Sequence, residues 1–436
     1  MTSTSRLLRQ WWSASDSKLL ALSESRLLDS LVKQQQHTTH VRKKFNIGGL
    51  NVLEFNKIPP SPPAAADRTN NIQQYDHPTT IILTHGFGSG LGFFYRNIND
   101  LLQSEKVSRV VCIDWLGMGG SDRPPCWESP IRSFFHSSSS YTSNRFSLCN
   151  SHFTTPSRAI DFFLDPLEQV LQNNHSSNDD NDESNHENGI KFHPNEKICL
   201  VGHSLGGYLA ARFVMRNNNN NNNNADGSSN KNNGGANIIS KLILASPVGF
   251  QPPPPPGQRL PTSNLPPAMR LLDALWSANF TPQQIIRFMG DTRGKRMVER
   301  ALRGRIPHLS TSDVELLADY LYHITVAPPS GEYAMNSLLE PAVASEGGGA
   351  GVYARESLGG GVMTEMLLKN EETNIQSIKV LFGDRDWMAF NQSAAVKEMN
   401  EIRAKMGIDA NVHVLPGSGH HLYLDNADAF IRHILD

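Results

Sequence analysis

Leu200-Val201-Gly202-His203-Ser204-Leu205-Gly206-Gly207 is the most informative stretch of this 436-residue chain. It follows the apolar run Ile198–Val201 and leads into Tyr208 to Met215, a segment with helical patterning. A serine flanked by glycines at a strand-to-helix junction reads as a nucleophile elbow. The turn is sharp, leaves little room for neighbouring side chains, and presents the hydroxyl at the end of the strand. The helix behind it offers N–H groups that lack intrahelical acceptors to a developing negative charge. G-x-S-x-G alone occurs in many unrelated proteins. The strand before it and the helix after it give the pattern its weight.

Working outward, short apolar strands are expected at Thr80–Thr84, Val110–Asp114, Ile198–Val201, Leu242–Ala245, Val380–Phe382 and Val412–Leu415. Helix-length segments separate them, which predicts an α/β protein with a mostly parallel central sheet and helices on both faces. Residues 42–56 alternate around Gly48-Gly49 and read as a hairpin. Apolar residues make up 38% and charged residues 19% of the chain, with Asn, Ser, Gly and Pro filling the difference, so polar insertions are expected in a compact core. A formal charge of −2 gives no basis for attracting polyanions, which excludes nucleic acid as a partner. Cys112, Cys126, Cys149 and Cys199 show no metal-site spacing; Cys112 and Cys199 fall inside strands as small hydrophobes. No run approaches the roughly 18 apolar residues of a membrane span.

Residues 1–40 form an N-terminal segment. Its start carries Arg6 and Arg9 among Ser and Thr without an acid, as in an organelle-targeting start or an ordinary terminus. Trp11-Trp12 fits either an interfacial membrane anchor or packing against the core. The core runs over 41–250 and resumes over 361–436. Insertions near 136–157, 173–195 and 217–236 are too polar to offset the entropy of ordering. His175 and His186 sit in one of them, where a solvated loop is the simpler reading than a metal site. Residues 251–360 interrupt the strand alternation and form a helical cap after the sixth strand. Thr281-Pro282-Gln283-Gln284 marks a helix start within it. Leu271, Leu272, Leu275, Trp276, Ile285, Ile286, Phe288 and Met289 either line an acyl-chain tunnel or form the cap's own core, the latter being the default.

The chemistry requires more than the serine. Thr84-His85-Gly86-Phe87-Gly88-Ser89-Gly90 follows the third strand, and the backbone N–H groups of Phe87 and Leu205 are assigned as an oxyanion hole. Asp114-Trp115-Leu116-Gly117-Met118-Gly119-Gly120-Ser121 reads as a structural turn. Partners of the serine should follow in the order acid, then histidine. Asp386 in Phe382-Gly383-Asp384-Arg385-Asp386 is the acid, with Asp384 as the fallback. His420 in Gly417-Ser418-Gly419-His420 is the base that takes the Ser204 proton. His421 receives no role. Asp425 completes an H-x-x-x-x-D pair with His420, which reads either as an acyltransferase motif or as an N-cap for the next helix.

With these residues in place, the chain resembles one subfamily of α/β-hydrolases: lipid-droplet lipase coactivators, cardiolipin deacylases and soluble lysophosphatidic acid acyltransferases. The segments that carry the resemblance are THGFGSGLGFFYRNI, IDWLGMGGSDRP, LVGHSLGGYLAARF, ANFTPQQIIRFMG, YLYHITVAPPSGEYA, LFGDRDWM and GSGHHLYLD. It implies the α/β-hydrolase fold, Ser204, Asp386 and His420 as a triad, and His420 with Asp425 as the acyltransferase motif. It further implies phospholipid or acylglycerol substrates, no cofactor or metal, and acyl-CoA as a co-substrate. The same resemblance points to a cytoplasmic protein, peripheral on lipid droplets or organelle membranes, mitochondria included, with a lipase as partner. The alternatives are a non-enzymatic lipase coactivator and a hydrolase of small soluble esters. Epoxide hydrolase and dehalogenase chemistry would need an aspartate at position 204.

Overall fold

The computed structural model describes residues 17–34, 40–58, 79–124, 153, 155–172, 189–192, 196–216, 238–345, 350–370 and 373–436. Trp11, Trp12, Cys126, Cys149, His175, His186 and the segment 217–236 lie outside the described residues, as does most of the other two insertions.

Eight strands form the central sheet: β1 (His40–Ile47), β2 (Leu50–Lys57), β3 (Thr79–Thr84), β4 (Val107–Ile113), β5 (Lys197–His203), β6 (Ile239–Ala245), β9 (Ser377–Gly383) and β10 (Asp409–Leu415). Their spatial order is β1-β2-β4-β3-β5-β6-β9-β10. β1 and β2 form the antiparallel hairpin around Gly48-Gly49, and β2 runs antiparallel to β4. Every other pairing, from β4 across to β10, is parallel. Because successive strand residues point to opposite faces, a sheet covered on both sides needs apolar residues at every position. Ile82, Leu200, Leu242, Leu244, Val380 and Phe382 face one core layer. Their neighbours Ile81, Leu83, Val201, Ile243 and Leu381 face the other. Cys112 and Cys199 are buried free thiols in that second layer, packed as small hydrophobes.

Helices cover both faces. They are α1 (Ser17–Gln34), α2 (Tyr95–Gln103), α3 (Pro156–Gln172), α4 (Leu205–Met215), α9 (Val362–Lys369), α10 (Gln392–Met406), α11 (Leu422–Asp425) and α12 (Ala427–Leu435). Within the stretch 1–40, set apart from the core on sequence, α1 is part of the body. Leu20, Leu27 and Leu28 recur at helical spacing and join the second core layer. Glu24, also buried, accepts from Lys44 Nζ at 3.0 Å and Asn51 Nδ2 at 3.1 Å, tying the helix to the β1–β2 hairpin.

Between β6 and β9 lies the cap, with α5 (Pro267–Ser277), α6 (Pro282–Arg305), α7 (Thr311–Val326) and α8 (Met335–Leu338). It is not purely helical. β7 (Leu339–Val343) pairs antiparallel with β8 (Ala350–Ala354), two five-residue strands too short to show a period in the sequence. α6 starts at Pro282, where the Thr281 amide donates to Gln284 Oε1 and the Thr281 hydroxyl donates to Glu332 Oε1. Gly290 breaks it into two parts with φ 68°. α7 is the anchoring element: nine of its residues are buried, and it packs against α6 and α1.

The expectation that the apolar cap residues form a core of their own does not hold. α5 has no buried residue, and Leu271, Leu272 and Phe288 are 61%, 64% and 66% exposed. Trp276 packs against the first core layer, but the exposed side chains of α5 and α6 gain little from hydrophobic burial, so folding alone does not account for them.

Since Leu27 is fully buried where α1 meets the sheet and α7, Leu27→Ala should cost about 2–4 kcal/mol of unfolding free energy. Denaturant titration of the two proteins checks this; an unchanged midpoint would mean that α1 contributes nothing to the body.

Candidate active site

β5 ends at His203 and α4 begins at Leu205, which leaves Ser204 alone in the turn with φ 55° and ψ −116°. A non-glycine residue rarely holds a positive φ, and here the crowding on both sides holds it. A Cβ on Gly202 would meet the Gly206 carbonyl oxygen at 2.3 Å, and one on Gly206 would meet the His85 carbonyl oxygen at 2.4 Å. The β3 loop therefore packs its backbone directly onto the elbow. Gly86 continues the contact, since a Cβ there would lie 2.9 Å from Ser204 Cβ.

The structure brings the three triad residues together. His420 Nε2 is 3.0 Å from Ser204 Oγ, and His420 Nδ1 is 2.9 Å from Asp386 Oδ1. Asp386 has only acceptors to offer, so Nδ1 carries the proton and Nε2 is left as the base facing the serine. Asp386 is buried, and its Oδ1 also accepts the Met388 amide at 2.9 Å. Burial pushes its carboxyl up, but the hydrogen bond and charge of His420 outweigh that and hold it below the ordinary value. It remains an anion able to stabilise an imidazolium. Asp384 sits elsewhere: its two oxygens accept the Gly417 and Ser418 amides, both at 2.9 Å.

The Leu205 amide is the first N–H of α4 and has no intrahelical acceptor; Phe87 lies on the loop that Gly86 presses against Ser204. That loop is fixed by His85. Its Nδ1 is 2.8 Å from the Gly86 carbonyl, and Nε2 is 3.2 Å from the Trp115 amide. A carbonyl only accepts and an amide only donates, so His85 is neutral with its proton on Nδ1. Burial depresses it to about 4. Trp115 Nε1 returns a bond to the His85 carbonyl at 2.9 Å. The turn after β4 is structural as expected: Asp114 accepts from Leu91 N, Asn51 Nδ2 and Gly120 N.

Several residues at the site carried no sequence signal that we could use. His203 is buried, and its Nε2 lies 2.9 Å from the His420 carbonyl, so it donates there and is neutral. Trp387, 56% exposed, places its ring 5.0 Å from that of His420. His421 is half-buried against the His203 and Phe93 rings, with Nδ1 3.0 Å from the Tyr423 hydroxyl; desolvation depresses it to about 3. Asp425 meets neither ring nitrogen of His420. Its Oδ2 accepts the Gly419 amide at 2.7 Å, and Oδ1 is 3.5 Å from His308 Nε2. The N-cap of α12 is Asn426, which accepts from the Ala429 amide at 3.1 Å, so the capping reading of Asp425 is also set aside.

A cavity of about 560 Å³ opens between the cap and this centre. It reaches Phe87 and Trp387 at its inner end and is walled by Leu272, Leu275, Trp276 and Ile285 from the cap. Part of the apolar set singled out from the sequence thus lines a tunnel, while Leu271 and Phe288 face outward. Among the described residues, no His, Cys, Asp and Glu group is arranged to hold a metal ion, and no helix is long and apolar enough to cross a membrane.

An eight-stranded, mostly parallel sheet with a strained serine at the end of β5, and a histidine and an acid after its last two strands, defines an α/β-hydrolase. The chain belongs to the alpha/beta hydrolase family, whose model matches residues 81–433. It is similar to a probable 1-acylglycerol-3-phosphate O-acyltransferase of Oryza sativa, at 26% identity over 97% of this chain and 81% of that protein. A 1-acylglycerol-3-phosphate O-acyltransferase of Arabidopsis thaliana is 25% identical over the same shares. The rat 1-acylglycerol-3-phosphate O-acyltransferase ABHD5 is 24% identical over 81% of this chain and 75% of its own length.

The desolvated neutral histidines set a pH dependence. His85 and His421 bind a proton at 6.5 when free but only at about 4 and about 3 in the folded protein. Their contribution is fully present above 6.5 and is lost as pH falls below it, because the unfolded chain takes the protons first. Each should remove about 2 kcal/mol of stability between pH 6.5 and pH 5. Denaturant midpoints measured at the two pH values check the slope; a flat profile would mean that these rings are solvated.

Proposed function

We propose that this chain is a serine-dependent enzyme of lipid esters, a phospholipase-type hydrolase that also transfers acyl groups to lysophosphatidic acid. The observation that carries this reading is the hydrogen-bonded line Ser204–His420–Asp386 beside an apolar cavity lined in part by Phe87 and by Trp387, whose ring is 5.0 Å from that of His420. His420 Nε2 takes the Ser204 proton as Oγ attacks the ester carbonyl. The Phe87 and Leu205 amides receive the oxyanion, and His420 returns the proton to the departing alcohol, or to the thiol of an acyl-CoA co-substrate. The acyl-enzyme is then relieved by water, giving a fatty acid, or by the free hydroxyl of lysophosphatidic acid, giving phosphatidic acid. The names of the relatives from Oryza, Arabidopsis and rat support the second acceptor.

The exposed apolar residues of α5 and the first part of α6 belong to the same reading. Leu271, Leu272, Phe280 and Phe288 are exposed on the cap, and Leu272 and Phe280 also line the cavity. A face of this kind suits a peripheral protein that rests on a droplet or organelle membrane and draws its substrate from there. The same face would serve a coactivator that engages a separate lipase. The intact hydrogen-bonded line from Ser204 through His420 to Asp386 favours the enzyme.

Two experiments test the reading. Wild-type and Ser204→Ala proteins receive phospholipid liposomes, and separately lysophosphatidic acid with acyl-CoA. Fatty acid release should fall by roughly 10³-fold or more in the variant. A wild type inactive on every lipid offered would remove the enzyme reading and leave the coactivator one. In the second, Leu271→Ser/Leu272→Ser/Phe288→Ser is expected to lose co-sedimentation with liposomes while keeping turnover of a soluble short-chain ester. Equal co-sedimentation would free the cap face of this role.

A further inference from the structure

The loop that carries His420 has its backbone held from three directions by side chains. Asp384 accepts the amides of Gly417 and Ser418, Asp425 accepts that of Gly419, and His203 Nε2 donates to the carbonyl of His420 itself. Three consecutive N–H groups thus end on two carboxylates. The peptide group that follows His420 is held by an imidazole, and the Ser418–Gly419 peptide, one residue before it, by an acid. The Gly419 contact is short, at 2.7 Å to a carboxylate oxygen. The Asp425 side chain is 7% exposed, so water has little access to compete with it.

An imidazole has two nitrogens, and in His420 both are occupied: Nε2 by Ser204 and Nδ1 by Asp386. A second carboxylate has no ring nitrogen left to act on. Nor does Asp425 turn an oxygen toward the cavity, since Oδ2 takes the Gly419 amide and Oδ1 lies against His308 of the cap, between α6 and α7. From this geometry we infer that Asp425 is a positioning residue, which acts through the Gly419 amide to hold His420 against Ser204. The H-x-x-x-x-D pair is then no separate centre for acyl transfer. It serves acylation, hydrolysis and transfer equally, because all of them need the same Nε2 in the same place. His308 extends the arrangement to the cap, so that the carboxylate that sets the base also touches the element that closes over the substrate.

This inference rests on the serine-enzyme reading, and the experiment separates the two. A fluorophosphonate probe labels a serine only when its hydroxyl is activated, whatever the natural substrate, so the labelling rate reports the His420–Ser204 alignment directly. Wild-type, Asp425→Ala and Asp425→Asn proteins are compared for labelling, for fatty acid release from phospholipid, and for phosphatidic acid formation, with thermal unfolding measured on each. Asp425→Ala should lower all three rates by a common factor of about 10 to 100, at little changed KM. Asp425→Asn retains an acceptor oxygen for Gly419 and should stay within a few-fold of wild type in all three. A role in fold stability alone would lower the melting temperature and leave the labelling rate of the folded protein unchanged, which overturns the inference. If Asp425→Asn loses transfer but keeps labelling and hydrolysis, Asp425 does chemistry of its own and the inference also falls. Should Asp425→Ala fail to fold, the Asp425→Asn comparison still decides between these outcomes. A wild type that does not label at all overturns the serine-enzyme reading, and this one with it.

Discussion

Ser204 sits in a backbone conformation that an L-residue avoids, and the rest of the site is arranged around keeping it there. The strain is local, but the support comes from everywhere. β5 leads in, α4 leads out, and the Thr84–Gly86 backbone is close enough that glycines at 202 and 206 leave no spare volume. Because β3 and β5 are adjacent parallel strands with Thr84 opposite Gly202, the oxyanion loop and the elbow emerge from the sheet side by side. The loops bearing Asp386 and His420 emerge at the same edge because β9 and β10 run parallel to β5 and β6. A parallel sheet collects the C-terminal ends of its strands along one edge. Four loops distant in sequence therefore converge on one hydroxyl.

Around the serine, burial does electrostatic work as well as packing. His85, His203 and His421 are all held well below the ordinary histidine range by desolvation. Had any of them been cationic, it would have competed with His420 for the carboxylate or repelled an imidazolium forming there. Instead they are neutral, and the partners of His85 and His203 fix their tautomers. His85 ties the loop after β3 to Trp115, while His203 donates to the His420 carbonyl. The one buried carboxylate in contact with the His420 ring, Asp386, is held on the ionised side. Asp386 is thus the anion in contact with the His420 ring, and the histidines packed around that ring are neutral.

Much of this was legible in the sequence, and the boundary of legibility has a physical cause. The parallel strands announce themselves as continuous apolar runs because both faces are covered. The elbow announces itself because only glycine tolerates the contacts at 202 and 206. Those are constraints on residue type at a fixed position, which a sequence records. The roles of His203, Asp384 and Trp387 depend on loops from different strands meeting in space, and nothing along the chain encodes that meeting. α1 was missed as part of the body because its core-facing residues, Leu20, Leu27 and Leu28, are few and flanked by polar ones. The cap was misread for the opposite reason. Leu271 and Phe288 have the spacing and hydrophobicity of core residues, and only their surroundings reveal that they are 61% and 66% exposed.

The spacing between His420 and Asp425 shows how a pattern and its meaning can separate. α11 is a single helical turn, Leu422–Asp425, in which the amides of Leu424 and Asp425 donate back to the His421 carbonyl. One such turn after a histidine returns the chain on itself. It brings the residue five positions on to the amide of the residue before the histidine, rather than beside its ring. An acid at that point meets an amide and not an imidazole. The interval of four residues is thus the length of chain that one helical turn needs to reach back to Gly419, and any enzyme built this way would show the same spacing whichever acceptor its acyl group goes to. Choice of acceptor must then lie where the acceptor binds, in the cavity under the cap. Leu272, Trp276 and Ile285 line that cavity, and α5 presents its exposed face beside them.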